Sequence, residues 1–413
     1  MKIGARTSFE GEFILPGDKS ITHRAVMLSG VANGEAVITG ASLGQDCLST
    51  CGCMRKLGAR VQVEGDTVWV KGAQEFRSGL TLDCGNSGTT MRLLAGLLAG
   101  KGISATLVGD ESLSARPMKR VTEPLLELGA SVQTQNGFAP LSVFPAELSG
   151  VRVQTQVSSA QVKSAVLLAG ISASGTTTVE EPIKSRDHTE RLLAAMGANI
   201  AVDGNAVTVQ KSELTAKDIC VPADISSAAY FMALGALKGK TLCRGVGVNP
   251  TRVGILKVFD KMGVDYTLLN KRLSGGEEVA DILVDKSPLR AIELGGELVP
   301  SLVDELPLIA LLCAFADGES HIYGARELRV KESDRIKTTT ELINALGGDC
   351  TETADGFVIR GKKSLVGGTV DSYLDHRIAM TAAVGLTASE KGGELLRPEC
   401  CAISFPRFFE NLA

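Results

Sequence analysis

Three basic residues, Lys19, His23 and Arg24, crowd the stretch LPGDKSITHR behind a Pro-Gly turn, just where an apolar run, AVMLSGVANG, begins. A helix start carries the positive end of the macrodipole and prefers acids, so cations there cost stability unless something negative joins them. The chemistry this suggests is anion binding. Free N–H groups at a helix N-terminus, with cationic side chains beside them, form a site for phosphate or carboxylate.

The arrangement recurs. A polar cluster, an apolar run of small residues and a glycine turn appear as DKSITHRAVMLSGVANG, GNSGTTMRLLAGLLAGKG, SSAQVKSAVLLAGISASG, DISSAAYFMALGALKG, VDELPLIALLCAFADG and LDHRIAMTAAVGLTASEKGG. They close on Gly34, Gly102, Gly175, Gly239, Gly318 and Gly393. A second pattern, an amphipathic stretch ending in Leu/Met-Gly, interleaves with the first as CMRKLGARV, PLLELGASV, LLAAMGANI, VFDKMGVDY and LINALGGDC. Alternating stretches such as VQVEGDTVWV and IAVDGNAVTV follow most of these. Two patterns in phase define a repeat of about seventy residues that reads helix, strand, helix, strand pair. The first helix of each repeat is apolar nearly all round and should be buried on every side. The second, closed by glycine, should lie outside. Parallel buried helices bring their N-termini to one face. Two such faces, opposed, would make a cleft lined with helix ends, where a shared negative ligand accounts for Lys19 and Arg24. Opposed positive ends also imply an open ligand-free form and a closed bound form.

Composition narrows the function classes. At 413 residues, 44% of them hydrophobic, the chain is too long for one ordinary core and implies two domains. A net charge of -4 gives no basic field for nucleic acid. Apolar runs fall well short of the roughly 20 residues needed to span a bilayer, and MKIGARTSFEGEF has no signal-peptide apolar core. A soluble, intracellular protein is the expectation. Ten cysteines include the cluster CLSTCGC, but no second Cys/His pair follows at zinc spacing, so reduced structural thiols and no metal are expected. Of the histidines, His23 and His376 occupy matching places in THR and DHR and read as groups that hold the following arginine. With His188 and His321 they form no recognisable metal pair.

LPGDKSITHR, GNSGTTMR, the RPM of SARPMKR, SSAQVKSA, RVKESDR and LDHRIAM resemble, in order and over nearly the whole chain, the motifs of the 5-enolpyruvylshikimate-3-phosphate synthase family. The resemblance implies an α/β fold of two similar domains, each made of three βαβαββ units around buried parallel helices, an inside-out α/β barrel. One domain would comprise residues 1–16 and 225–413, the other 17–224. It implies transfer of the enolpyruvyl group of phosphoenolpyruvate to the 5-hydroxyl of shikimate 3-phosphate, without metal or organic cofactor, by a cytoplasmic monomer whose partners are these small molecules.

That chemistry needs a carboxyl group able to act as acid and then base, a second proton acceptor near the hydroxyl, and cations for phosphate and carboxylate. Asp304 in VDELP and Glu332 in KESDR are the carboxyls. The resemblance gives Asp304 the acceptor hydroxyls and Glu332 the methylene proton, with Glu305 beside Asp304 as a competing or supporting group. It makes Lys19 a contact to both substrates. Gly88, Thr89, Arg116, Gln161, Arg335 and Arg377 would hold phosphoenolpyruvate, with Asn86 ordering the loop and His376 supporting. For shikimate 3-phosphate the resemblance gives Ser20 and Arg24 the carboxylate and ring hydroxyls, and Ser159, Gln161 and Arg186, with Ser158, the phosphate; Asp304 and Lys331 complete its site. Two departures stand out: Ile403 replaces a lysine that some members carry before the final Phe-Pro, and Glu327 replaces an asparagine. Gly88 is retained, so sensitivity to glyphosate is expected. The rival readings are the sister enzyme acting on UDP-N-acetylglucosamine and a non-catalytic anion-binding protein. Ser20 after Lys19, and the lack of a cysteine in GDESLSARP, speak against the first. Carboxyls among the cations speak against the second.

Overall fold

The computed structural model describes residues 1–413. The chain forms two compact units: Met1–Pro16, Pro222–Leu273 and Glu277–Ala413 make the first, and Gly17–Val221 with Ser274–Gly276 the second. These boundaries differ from the expected ones at two places. Pro222–Asp224 goes with the first unit, where the Asp224 N–H donates to the Pro16 carbonyl at 2.9 Å and Ala223 bridges to Val246. The turn Ser274–Gly276 goes with the second, where Arg191 Nη1 donates to the Gly276 carbonyl at 3.0 Å.

The repeat is plain in the second unit. Leu80–Asp83 runs parallel to Ala105–Val108 after the helix Gly88–Lys101, and the antiparallel strands Phe138–Phe144 and Ser131–Gln135 complete the sheet. Arg152–Gln154, Thr176–Glu180, Ala206–Gln210 and Ile200–Asp203 repeat the order around the helix Ala160–Gly170. In the third sheet the first strand, Ile219–Cys220, comes from the end of the segment and pairs in parallel with Glu35–Thr39. The first unit has two sheets of the same order. The last repeat departs from the expected pattern: after Gly368–Asp371, the helix His376–Ala388 and Gly393–Leu396 there is no strand pair, and the N-terminal Lys2–Ile3 takes the edge. Each unit has its own apolar core. No helix is long and apolar enough to cross a membrane.

The helix Lys19–Val31 and its counterparts in the other repeats are buried nearly all round. Small residues allow it. A Cβ on Gly96 would lie 2.0 Å from the Ala165 carbonyl oxygen and 2.7 Å from its Cα. Backbone cannot yield as a side-chain tip can. Gly96→Ala should therefore cost about 3 kcal/mol and part the helices that carry Thr89, Arg92 and Gln161. Chemical denaturation checks it; an unchanged midpoint would mean that the two helices are not packed as described. Among the closing glycines, Gly34, Gly102, Gly175 and Gly318 have positive φ as a turn requires. Gly239 and Gly393 instead begin strands, and Gly392 carries the left-handed turn in the last repeat.

Caps supply a local answer to the cations at helix starts. A carboxylate precedes each: Asp18 before Lys19 accepts from the Ile21 N–H, Asp334 before Arg335 from Ile336 and Lys337, and Asp375 before His376 from Arg377. Each cap satisfies orphan N–H groups and puts negative charge at the positive dipole end. Ser87 and Ser159 accept from the Thr90 and Val162 N–H groups with neutral hydroxyls. In the helix Leu306–Ala314, Glu305 occupies the cap position without a capping hydrogen bond.

Candidate active site

In the second unit, Gly88 opens a helix with two guanidinium groups over its first turn. A Cβ there would be 3.1 Å from Arg92 Nη1 and 3.5 Å from Arg116 Nη1. Arg116 Nη2 donates to Asn86 Oδ1 at 2.7 Å, and Asn86 Nδ2 to Asp110 Oδ2 at 2.7 Å. Asn86 thus links Arg116 to Asp110. Gln161 accepts from Arg92 Nη1 at 2.6 Å and donates to Thr89 Oγ1 at 2.9 Å. Gly88, Thr89, Asn86, Arg116 and Gln161 therefore form one cluster, and Arg92 is at its centre. Arg92 has no expected role in the sequence motif GNSGTTMR; the signal for it is its place one turn after Gly88, on the same helix face.

Lys19 Nζ lies 2.8 Å from Asp46 Oδ2. Nothing near Asp46 in the sequence announces this partner, since it comes from the following helix, Gln45–Leu57. Arg24 donates from Nε to Thr189 Oγ1 at 2.6 Å, from Nη1 to the Ser20 carbonyl at 2.9 Å and from Nη2 to Ser164 Oγ at 2.7 Å. Arg186 Nη1 donates to Ser20 Oγ at 3.3 Å. Ser158 Oγ accepts from the Ile183 N–H at 3.0 Å, and Ser159 caps its helix. Contrary to the expectation from the sequence, His23 does not hold Arg24. Its Nδ1 pairs with Thr50 Oγ1 at 2.7 Å. Burial and the charges of Lys19 and Arg24 hold its pKa well below the usual histidine value, so it stays neutral.

In the first unit, Arg335 is 1% exposed and gathers three carboxylates. Its Nε donates to Asp375 Oδ2 at 2.8 Å, its Nη2 to Glu332 Oε2 at 2.7 Å, and its Nη1 lies 3.6 Å from Asp304 Oδ1. Burial opposes its charge, but Asp375 and Glu332 outweigh this and raise its pKa above the ordinary arginine value. Asp304 and Glu332, far apart in sequence, are thus brought to one guanidinium. Glu305 is separated from them in kind: its carboxylate is buried and accepts from Ser226 Oγ, which in turn accepts from Arg252 Nη2 at 2.9 Å. Arg377 is buried beside Tyr230, whose hydroxyl burial pushes up to about 12 against the pull of Arg377. Lys331 Nζ donates to Glu327 Oε1 at 2.9 Å, so the residue that departs from the family pattern holds a candidate site lysine. Ile403 packs half-buried against the core and supplies no charge. His376 is buried in the first turn of its helix, His188 is buried, and His321 pairs with Glu319 at the surface. Asp375, on Arg335, and Arg252, on Asp224 and Ser226, are further charged groups that no sequence motif assigns. All ten cysteines are free thiols.

In each unit, then, cations and hydrogen-bond donors are gathered at the starts of buried helices, and in the first they stand with two partly exposed carboxylates. Such a set can bind anions and move protons. The family model for EPSP synthase (3-phosphoshikimate 1-carboxyvinyltransferase) matches residues 3–412. Among curated relatives, the 3-phosphoshikimate 1-carboxyvinyltransferase of Desulforudis audaxviator is 48% identical, over 100% of this chain and 98% of the relative. That of Bacillus subtilis is 44% identical with the same coverage. The solved EPSP synthase of Acinetobacter baumannii superposes with a TM-score of 0.87 at 38% identity, covering 99% of this chain and 96% of that one. The enolpyruvyl transferase NikO from Streptomyces tendae shares the fold, with a TM-score of 0.81 at 18% identity. The chain belongs to the EPSP synthase family.

Proposed function

We propose that the helix-end clusters divide the work of one reaction, in which the chain transfers the enolpyruvyl group of phosphoenolpyruvate to the 5-hydroxyl of shikimate 3-phosphate, a step of the shikimate pathway. The observation that carries the residue assignment is the gathering of Asp304 and Glu332 on Arg335. A carboxyl group held by a guanidinium is placed firmly, and its partial exposure leaves it accessible to substrate.

The steps follow from the bonds. Glu332 protonates the methylene carbon of phosphoenolpyruvate, leaving positive charge at C2. Asp304 accepts the 5-hydroxyl proton as that oxygen bonds to C2, giving a tetrahedral ketal phosphate. Glu332, now a carboxylate, removes a methyl proton, the double bond re-forms and phosphate leaves with the electrons of its C–O bond, taking up the proton that Asp304 had accepted. Lys19, Arg116, Gln161, Arg335 and Arg377, with Gly88 and Thr89, hold phosphoenolpyruvate, and Arg92 joins them. Ser20, Arg24, Ser158, Ser159, Gln161, Arg186 and Lys331 hold the acceptor. A pair of unit charges about 4 Å apart is worth roughly 4 kcal/mol at an effective dielectric near 20, so several cations can stabilise the charge that grows on the leaving phosphate. A monomer working in the cytoplasm completes the proposal.

The test is phosphate release from phosphoenolpyruvate by purified protein with shikimate 3-phosphate, with UDP-N-acetylglucosamine, or with no acceptor. Release is expected only with shikimate 3-phosphate. Release only with the nucleotide sugar would overturn the acceptor, and release with neither would leave an anion-binding protein. Glyphosate is expected to inhibit by competing with phosphoenolpyruvate. Gly88→Ala should raise both the KM for phosphoenolpyruvate and the glyphosate concentration for half-inhibition, because its methyl would crowd Arg92 Nη1 at 3.1 Å. Arg92 can retreat, so turnover should persist; inhibition unaltered by the methyl would place glyphosate elsewhere.

A further inference from the structure

One buried charge cluster in the second unit has no part in these steps. Lys163, Glu181 and Glu190 are each at most 4% exposed. Lys163 Nζ lies 2.9 Å from Glu181 Oε2 and 2.8 Å from Glu190 Oε1, and donates to the Ser185 carbonyl at 3.4 Å. Taking such a group out of water costs several kcal/mol, and apolar residues of like volume often serve stability as well or better. Stability is therefore a poor reason for it. Its contacts give a better one.

Glu181 Oε1 accepts from the Ser159 N–H at 2.8 Å, while Oε2 accepts from the Ser185 N–H at 3.2 Å and its hydroxyl at 2.8 Å. Ser185 directly precedes Arg186. Glu190 directly follows Thr189, whose hydroxyl accepts from Arg24 and pairs with Ser164 Oγ at 2.6 Å. Ser164 in turn follows Lys163 on the same helix. One ammonium thus ties together the start of the helix Ala160–Gly170, the strand-end loop before Arg186 and the helix His188–Ala195. Two of the ties end on Ser159 or on Ser185, the neighbour of Arg186, and the third ends beside Thr189, the partner of Arg24.

We propose that Lys163, Glu181 and Glu190 form a positioning centre that sets the geometry of the acceptor's phosphate site without touching substrate. The inference rests on the residue assignment above. The phosphate of shikimate 3-phosphate needs Ser159 and Arg186 in register, and a misplacement of about 1 Å can cost on the order of 100-fold. Glu181→Gln keeps the size and one oxygen acceptor but removes the ion pair with Lys163.

The experiment measures dissociation constants of shikimate 3-phosphate and of shikimate, which lacks the phosphate, by calorimetry, together with kcat at saturation and the melting temperature. In Glu181→Gln the preference for the phosphorylated ligand should fall by about tenfold or more, while the KM for phosphoenolpyruvate and kcat at saturation stay within about threefold. An equal loss for both ligands, or a lower melting temperature with the preference unchanged, would overturn the inference. Should Glu181→Gln not fold, Glu190→Gln leaves the Ser159 and Ser185 contacts of Glu181 in place and reads the same preference through Lys163 and the Ser185 carbonyl, next to Arg186. A preference unchanged in that variant also overturns it. Absence of turnover of shikimate 3-phosphate by the unaltered enzyme would instead overturn the functional reading.

Discussion

Glu332→Gln should lower kcat by about 1,000-fold, within the range for loss of a positioned acid–base group, while the protein remains folded and binds shikimate 3-phosphate with little change. Glutamine keeps an oxygen to accept from Arg335 Nη2, where Glu332 Oε2 lies at 2.7 Å. The lost capacity is the proton itself. Glutamine cannot give a proton to the methylene carbon or take one from the methyl group, so both halves of the addition–elimination slow. Single-turnover phosphate release should show the defect in the chemical step. Exchange of methylene hydrogens with deuterated solvent should fall in parallel. Asp304→Asn is expected to differ: its loss should fall on attack by the acceptor hydroxyl and on the KM for shikimate 3-phosphate. If Glu332→Gln retained full turnover, the methylene proton would have to be handled by Asp304 or Lys19, and Glu332 would be reduced to a prop for Arg335.

Asp375→Ala should have the largest effect on stability. The carboxylate is fully buried, accepts from Arg335 Nε and Nη2 and from Ser333 Oγ, and caps the helix His376–Ala388 through the Arg377 N–H. Removing it leaves a guanidinium that is 1% exposed without the buried carboxylate that accepts from both its Nε and its Nη2. Breaking a buried pair from one side costs about 3–5 kcal/mol, and the lost cap adds about 1 kcal/mol. For a unit of this size the melting temperature should fall by roughly 10 °C. Activity should fall as well, since Arg335 would turn toward Asp304 and Glu332 and alter the groups proposed for proton transfer. Asp375→Asn keeps the cap and should recover part of the stability. Equal melting of Asp375→Ala and the unaltered protein would mean that Arg335 is solvated and not buried as described.

The difference between Glu332 and Asp375 shows what could be read without the fold. Glu332 stands in a motif, KESDR, whose charges are dense enough to be noticed. Asp375 precedes His376 in LDHR and looks like an ordinary cap, which it also is. Only packing reveals that its other oxygen contacts belong to Arg335 and Ser333. Lys19 and Asp46 pose the same problem. A hydrogen-bonded cap three residues along the chain is a local event fixed by sequence. A pair across helices depends on how small residues such as Gly96 let the helices approach, and that distance is not encoded at either partner. The departure at Glu327 is similar: the sequence shows a substitution, while the structure shows it donating nothing and accepting from Lys331 at 2.9 Å.

By itself the sequence determined the repeat, the buried helices, the glycine-closed outer helices and the gathering of cations at helix starts. These follow from short-range rules: hydrophobic period, caps, and the freedom of glycine to take positive φ. Tertiary structure alone decided that the last repeat closes with Lys2–Ile3 in place of a strand pair, that Ser274–Gly276 packs in the second unit, and that Lys163, Glu181 and Glu190 meet. Each of these joins residues separated by tens or hundreds of positions. Their pairing is set by the summed burial of two whole cores, to which no local stretch of chain bears witness.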